Sequence, residues 1–120
     1  METDQWQGEM MLWDEVEIIK NQLDKALSTC RKNGIKWAEA ERNYRKAKSK
    51  EELRLRAEGV PVTLIPDIVK GLDEVADLDF ERNVRLVTYK ANVEAMLVKK
   101  LELKTMENEL EREYGNDKET

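Results

Sequence analysis

Residues 59–71 read GVPVTLIPDIVKG, and this stretch decides the fold because it holds both prolines of the 120-residue chain between two glycines. Gly59 suits the left-handed residue that ends a helix, and Pro61, two positions later, prevents the helix from continuing. Thr63 is expected to cap a short helix whose first turn tolerates Pro66 and which ends at the second glycine. The stretch therefore predicts a compact corner between two helical arms.

The corner is strongly apolar for a loop. Its aliphatic side chains are Val60, Val62, Leu64, Ile65, Ile68 and Val69. Because the transfer of apolar surface out of water is favourable, the simplest arrangement is a plug across the closed end of a hairpin. The alternative is an exposed knob onto which another protein docks.

Before the corner, a helical arm is predicted over residues 11–58, with residues 1–10 as a flexible N-terminus. Apolar or small side chains recur in this arm in alternating steps of four and three, as on one face of a long helix. The stripe consists of Leu12, Val16, Ile19, Leu23, Ala26, Cys30, Asn33, Trp37, Ala40, Tyr44 and Ala47, widened by Trp13, Leu27 and Leu55. Gly34 costs a helix interior roughly 1 kcal/mol relative to alanine. The stripe resumes in phase after it, so we expect the helix to continue.

After the corner, a second helical arm is predicted over residues 73–114, with Asp73 as its cap and residues 116–120 as a frayed tail. Its apolar side chains form two lines. The first line holds Phe80, Val84, Val87, Ala91, Ala95 and Val98. The second line holds Leu86, Tyr89, Val93, Met96, Leu103, Leu110 and Tyr114. One partner helix covers only one line, and an extended apolar face is seldom left wet. We therefore expect the second line, from Leu86 to Leu110, to form an interface with another copy or another protein.

Together these patterns predict an all-α protein, a long and coiled-coil-like antiparallel two-helix hairpin with a short helix in the corner at residues 59–72. A single helical-hairpin domain would span residues 11–115. Charged residues make up 39% and hydrophobic residues 40% of the chain, a balance typical of long amphipathic helices. An elongated hairpin buries less surface than a compact globule. This favours a homo-oligomer, either a dimer or a tetramer, assembled as a helical bundle.

The charge pattern predicts how the arms align. Folding at the corner places residues near 51 beside residues near 80. Segment 45–56 holds six basic and two acidic residues, whereas segment 73–81 holds five acids and no base. Exposed ion pairs between these segments would each contribute roughly 0–1 kcal/mol. At the open end both arms are acidic, which predicts either a solvated acidic end or a site for a basic partner.

The residue types exclude several function classes. The chain contains no histidine and one cysteine, Cys30, which excludes the usual Cys/His zinc sites and histidine-based catalysis. We therefore expect no enzymatic activity, no metal and no cofactor. A net charge of −5 gives no overall attraction to nucleic acid or to an anionic membrane. No apolar run approaches the roughly 18 residues that cross a bilayer, and the N-terminus lacks the pattern of a signal peptide, so a cytoplasmic location is expected.

A basic set of residues in the middle of the arms gives a competing prediction of nucleic-acid binding. The set consists of Arg31, Lys32, Lys36, Arg42, Arg85, Lys90, Lys99 and Lys100. Phosphates attract lysine and arginine, and Trp37 and Tyr44 lie in the same region for base stacking. Both rings, however, fall on the apolar stripe of the first arm, and glutamates interleave the basic residues. A third alternative is a structural coiled-coil element that scaffolds a large assembly.

The corner and the end of the second arm carry a resemblance. Residues 53–65 read LRLRAEGVPVTLI, residues 101–104 read LELK and residues 111–114 read EREY. They resemble small uncharacterised helical-hairpin proteins of phages and prophages of Gram-positive bacteria, in which a Glu-Gly-aliphatic-Pro-aliphatic-Thr corner joins two charged helices. The resemblance covers roughly residues 30–115 and implies a non-enzymatic accessory protein in the host cytoplasm, with replication, recombination or host defence proteins as partners. It carries over no catalytic residues. Secreted hairpins of the WXG type differ, because no Trp-x-Gly motif lies between these arms.

Overall fold

The computed structural model describes the backbone of residues 2–115 and the side chains of residues 8–115. It contains α1 (Glu2–Ala57), α2 (Ile65–Gly71) and α3 (Asp73–Tyr114) in chain order. The two long helices pack against each other, and no residue in the described part of the chain belongs to a β-strand. The prediction of an all-α hairpin with a short corner helix is thus confirmed.

The hairpin divides into two compact units. The corner unit comprises residues 31–91 and contains the second half of α1, all of α2 and the first half of α3. The terminal unit comprises residues 1–30 and 92–120 and contains the remaining parts of the two long helices. The predicted helical-hairpin domain therefore consists of two packing units.

The first helix begins earlier than the sequence pattern predicted, at Glu2 instead of residue 11. The segment expected to be a flexible N-terminus is thus helical from Glu2 onward. Acidic residues such as Glu2 and Asp4 favour the start of a helix because they interact favourably with its macrodipole, and no proline interrupts the segment. The third helix spans the predicted residues 73–114. The predicted tail at 116–120 lies outside the described residues.

A glycine-dependent cap ends α1. Gly59 has a φ of 82°, which is the left-handed region that favours glycine. Its N–H donates to the Arg56 carbonyl oxygen at 3.1 Å, and the Val60 N–H donates to the Leu55 carbonyl oxygen at 3.1 Å. These two bonds form a Schellman motif, and Val60 packs against the cluster that contains Leu55, a hydrophobic contact that frequently accompanies the motif. The role predicted for Gly59 is confirmed.

The short helix α2 begins without the side-chain cap that the sequence predicted. Its N-cap residue is Leu64, which makes no side-chain capping hydrogen bond, so the assignment of Thr63 as the cap is wrong. The Leu64 N–H donates to the Pro61 carbonyl oxygen at 3.0 Å, and the Leu64 carbonyl accepts the Ile68 N–H at 3.2 Å. Backbone bonds therefore close this turn. Pro66 lies in the first turn of the helix, where its missing N–H has no partner to lose.

One extended residue, Leu72, joins α2 to α3. It has a φ of −71° and a ψ of 132°. Its N–H donates to the Val69 carbonyl oxygen at 3.2 Å, and its carbonyl accepts the Ala76 N–H at 2.8 Å. Leu72 therefore occupies the cap position predicted for Asp73, which is instead the first residue of α3. A connection of one residue gives α3 little freedom to rotate relative to α2.

A buried cluster fills the corner unit. Its members are Leu55, Ile65, Val69 and Val75, with Tyr44, Ala47, Val60 and Leu72 packed against them. Each fully buried aliphatic side chain contributes roughly 1.5–3 kcal/mol relative to leaving it exposed, so this cluster holds the corner together. The predicted plug is confirmed for two of the aliphatic residues, Ile65 and Val69. Three others remain exposed, namely Val62, Leu64 and Ile68.

The face of α1 predicted from the four-three spacing is the face that packs. Every member of the stripe from Leu12 to Ala47 is buried or half-buried. Trp13 and Leu27, which were expected to widen the stripe, are exposed. Only a narrow face of a helix meets a single partner helix, and this explains why the stripe stays narrow.

The glycine in the middle of α1 is a packing position. The helix continues through Gly34 without a break. A Cβ atom added there would lie 3.0 Å from Cε2 of Tyr89, and the Tyr89 ring stacks on Trp37 with centroids 5.9 Å apart and planes inclined by 9°. The missing side chain thus admits the ring against the helix backbone.

The two arms of the corner unit align several residues away from the predicted position. Arg82 lies over the ring of Tyr44, 4.1 Å from its centroid, where the predicted alignment would place residues near 49. The packing of α2 explains the offset. Ile65 joins a cluster with Leu55 in the last turns of α1. The start of α3 therefore lies beside residues of α1 that come earlier in the chain than the predicted alignment places there.

Candidate interaction surface

The residues predicted to form an intermolecular interface lie instead on the packed side of α3. In the corner unit, Leu86 and Tyr89 are half-buried, and Tyr89 contacts α1 through the stack on Trp37. In the terminal unit, Val93, Met96 and Leu103 are half-buried and Leu110 is buried. The structure therefore corrects the assignment: this line is the one that meets α1.

The other apolar line of α3 is exposed. In the corner unit, Phe80 is 70%, Val84 42% and Val87 68% exposed, and Ala91 is exposed as well. We call these four residues the outer line. Their spacing of i, i+4, i+7 and i+11 keeps them on one side of the helix, opposite Tyr89 at 100° per residue. This is the spacing of a coiled-coil seam without a partner.

Polar side chains border the outer line. Glu81 accepts a hydrogen bond from Arg85 Nε at 2.9 Å, and the Thr88 hydroxyl donates to the Val84 carbonyl oxygen at 3.0 Å. Asn83 and Lys90 are exposed on the other border. An apolar centre inside a polar rim is the usual composition of a protein interface.

Arg82 fixes the opposite side of α3 against α1. Its guanidinium lies 4.1 Å from the centroid of the Tyr44 ring, 2.6 Å from Asp79 and 3.5 Å from Glu41 of α1. Sequence reasoning did not single out Arg82. Its position four residues before Leu86 places it on the same line, and this spacing could have indicated its inward side.

The observed ion pairs do not follow the predicted charge complementarity between the basic end of α1 and the acidic start of α3. Within α1, Arg45 pairs with Glu41 at 3.0 Å and Arg54 with Glu51 at 2.6 Å. Arg54 also pairs with Glu58, just after the end of the helix, at 2.9 Å. The hydrogen bonds that the Arg54 guanidinium donates to the Glu51 and Glu58 carboxylates raise the pKa of Arg54. An ion pair that does join the two long helices, Arg82 with Glu41, has the acid on α1 and the base on α3, which is the reverse of the predicted polarity.

The aromatic rings that the nucleic-acid prediction requires are covered. In the corner unit, Arg31, Lys32, Lys36, Arg42 and Lys90 are exposed, and Arg85 is half-buried. In the terminal unit, Lys100 is exposed and Lys99 pairs with Glu102 at 3.0 Å. Trp37 is covered by Tyr89 and Tyr44 by Arg82. The two rings considered for base stacking already have partners.

A groove opens in the terminal unit between the ends of α1 and α3. It has a volume of about 590 Å³ and is lined by Glu9, Trp13, Val16, Lys20, Glu107, Leu110, Glu111, Tyr114 and Gly115. Three carboxylates border it, as the predicted acidic end requires, while the side chains of Glu2 and Asp4 lie outside the described residues. No group of three or more Cys, Asp or Glu residues in the described part of the chain is arranged to hold a metal ion.

Comparison with known proteins adds no assignment. No protein family, no characterised protein and no solved structure matches this chain. Over residues 2–115, neither long helix has an apolar stretch sufficient to span a bilayer. Cys30, the single cysteine, is buried and unbonded to sulfur. The outer line is an exposed apolar surface with the regular spacing of a coiled-coil seam.

Proposed function

We propose that this chain acts without catalysis, by helix-mediated protein–protein interaction through the outer line of α3. One observation carries the proposal: four apolar residues at coiled-coil spacing are exposed on a helix whose opposite side is already covered by α1. Apolar side chains scattered singly over a surface need no explanation, but a contiguous patch with a polar rim marks an interaction site. Phe80 adds specificity, because exposed aromatic residues are enriched where protein partners bind.

The test replaces two residues of the outer line with acids in the variant Val84→Glu/Val87→Glu. A carboxylate cannot enter an apolar interface without loss of hydration, so we expect binding of the partner, or self-association, to fall at least tenfold. Sedimentation velocity measures the mass of the pure protein. Affinity capture from cell extract followed by mass spectrometry measures partner binding.

The matched control adds the same two charges on the exposed side of α1, as Ala38→Glu/Asn43→Glu. Circular dichroism checks that both variants keep the helical content of the parent. Equal binding by the parent and both variants would count against the proposal.

The resemblance to phage and prophage hairpin proteins extends the proposal to the kind of partner. We propose a phage-type accessory role in the cytoplasm, with a replication or recombination protein or a host defence protein as the target. Captured proteins identify the partner class directly. If the parent protein captures no partner from either class, this part of the proposal is contradicted.

Two other functions remain as alternatives with their own tests. Nucleic-acid binding through the basic set predicts a salt-sensitive shift of DNA or RNA at low ionic strength. A scaffolding role predicts open assembly, which light scattering detects as species far larger than a dimer or tetramer.

A further inference from the structure

We propose that the groove of the terminal unit binds an arginine-containing basic segment of a partner protein. The groove is lined by residues near the ends of α1 and α3, and none of these residues belongs to the corner unit that carries the outer line. The inference therefore goes beyond the proposed function, and either can fail while the other stands.

The groove follows the seam between the two long helices within the terminal unit. Its α1 residues are Glu9, Trp13, Val16 and Lys20, and its α3 residues are Glu107, Leu110, Glu111, Tyr114 and Gly115. The α1 residues are spaced by four, three and four, which keeps them on one side of that helix. They extend over about 16 Å at 1.5 Å per residue. The volume of about 590 Å³ lies within the roughly 300–1,000 Å³ of ligand-binding clefts.

The groove combines an apolar floor with two aromatic residues. Val16 and Leu110 are 1% and 7% exposed, so the floor is part of the packed interior. Trp13 is 56% exposed, and Tyr114 is half-buried. A Cβ added to Gly8 would lie 2.8 Å from the Tyr114 hydroxyl oxygen, so close packing on Gly8 holds this ring in place. A ring that is already positioned lowers the entropic cost of binding.

The charge of the lining selects a cationic partner. Three carboxylates, those of Glu9, Glu107 and Glu111, outnumber the single ammonium group of Lys20. The groove also includes the last turn of α3, which ends at Tyr114 and adds the partial negative charge of a helix C-terminus. The groove is therefore complementary to a positively charged group.

The three carboxylates have few basic neighbours along their own helices. No basic residue stands three or four positions from Glu9 or Glu111, and Glu107 has only Lys104 at that spacing. Glu107 and Glu111 are themselves four residues apart, a spacing at which like charges destabilise a helix. A cation bound from outside would relieve this repulsion.

Aromatic rings beside carboxylates favour arginine over lysine. The planar guanidinium stacks on an aromatic face and donates paired hydrogen bonds to a carboxylate, whereas the lysine ammonium is a compact and strongly hydrated charge. Tryptophan is the ring that attracts cations most strongly. A length of about 16 Å matches about five residues of extended chain at roughly 3.3 Å per residue. The groove thus suits a peptide segment that carries arginine side chains.

The test titrates ¹⁵N-labelled protein with an acetylated and amidated hexapeptide of alternating arginine and glycine. The N–H signals of residues that line the groove, including the indole N–H of Trp13, should shift in a saturable way. The affinity should fall as salt is added, and the matching lysine–glycine peptide should bind about threefold more weakly. Absence of saturable shifts at millimolar peptide, or shifts centred on other residues, would overturn the inference.

Variants of the groove separate recognition from general attraction to an acidic protein. Glu9→Gln/Glu107→Gln/Glu111→Gln should weaken peptide binding about tenfold, and Trp13→Leu about threefold. The matched control removes three exposed carboxylates that do not line the groove, as Glu15→Gln/Asp24→Asn/Glu94→Gln, and should bind nearly as well as the parent. An equal loss in both triple variants would overturn the inference.

Thermal unfolding shows that the groove variant remains folded. Its melting temperature should equal or exceed that of the parent, because the repulsion between Glu107 and Glu111 is removed. A weaker affinity at an unchanged or higher melting temperature therefore reports a lost contact with the peptide.

Spermidine provides a ligand with the same number of charges as the peptide but without guanidinium groups. It should bind at least tenfold more weakly, and an affinity equal to that of the peptide would overturn the inference. The outer-line variant Val84→Glu/Val87→Glu should bind the peptide as the parent does. Failure of the groove and failure of the outer line are thus measured separately.

Discussion

At the scale of the residue, a glycine within α1 and a glycine just after its end have different physical roles. Gly59 is required for its backbone conformation, because its φ of 82° is accessible to other residues only at an energetic cost. Gly34 has ordinary helical geometry and is required for space, because Tyr89 approaches to 3.0 Å of the missing Cβ. The sequence pattern indicated the role of Gly59. It gave no sign of the role of Gly34, which was interpreted as a destabilising residue that the helix tolerates.

Replacement of Gly59 by alanine should lower the free energy of unfolding by about 1–2 kcal/mol, the cost of a left-handed residue with a side chain. The matched control is Gly71→Ala. Gly71 does not have a positive φ and has open space around the missing Cβ, so this change should be neutral or stabilising by up to about 1 kcal/mol. Urea unfolding followed by circular dichroism measures both, and equal effects at the two sites would contradict the assignment.

At the scale of the element, the rotation of α3 about its own axis decides which apolar line is buried. Three features of the corner unit set that rotation: Val75 enters the buried cluster, Tyr89 stacks on Trp37, and the Arg82 guanidinium lies over the Tyr44 ring. These contacts are spaced by seven residues along α3. They therefore fall on one side of the helix and leave the outer line on the other.

Replacement of Arg82 by alanine should destabilise the hairpin by about 1–2 kcal/mol, the sum of a cation–π contact and two partly exposed ion pairs. Arg85→Ala is the matched control on the same helix, because Arg85 pairs with Glu81 of α3 itself and such a pair contributes about 0.3–0.5 kcal/mol. Thermal and urea unfolding of both variants gives the comparison. A loss at Arg85 as large as that at Arg82 would show that Arg82 does not hold the helices together.

At the scale of the whole molecule, a hairpin of two helices covers one side of each and leaves the other in water. Exposed aliphatic residues occur in both units, as Val87 in the corner unit and Leu101 in the terminal unit illustrate at 68% and 66% exposure. A protein that buries further apolar surface on association is stabilised by its own concentration.

The melting temperature of the parent chain should therefore rise with protein concentration. An increase of about a hundredfold in concentration should raise Tm by a few degrees, because association stabilises only the folded chain. Calorimetry over that range measures the shift. The Val84→Glu/Val87→Glu variant should show a constant Tm, and a constant Tm in the parent would contradict self-association.

The sequence by itself determined the elements of this fold. The glycines and prolines of residues 59–71 placed the corner, and the four-three stripe of α1 gave its packed face, because helix ends and helix faces depend on residues close together in the chain. For the same reason the sequence could not choose between the two apolar lines of α3. Both have helical spacing, and spacing alone does not say which line a distant helix will cover.

Only the tertiary structure made that choice. Three features set how α3 is rotated about its axis and which residues of α1 it lies beside. They are the packing of α2 on Leu55, the single-residue link at Leu72, and the position of Arg82 between Glu41 and Tyr44. The contacts of Arg82 with Glu41 and Tyr44 join residues far apart in sequence, so no local pattern encodes them. These features place the line of Leu86 and Tyr89 on the packed side of α3, where both are half-buried, and leave Phe80, Val84, Val87 and Ala91 exposed.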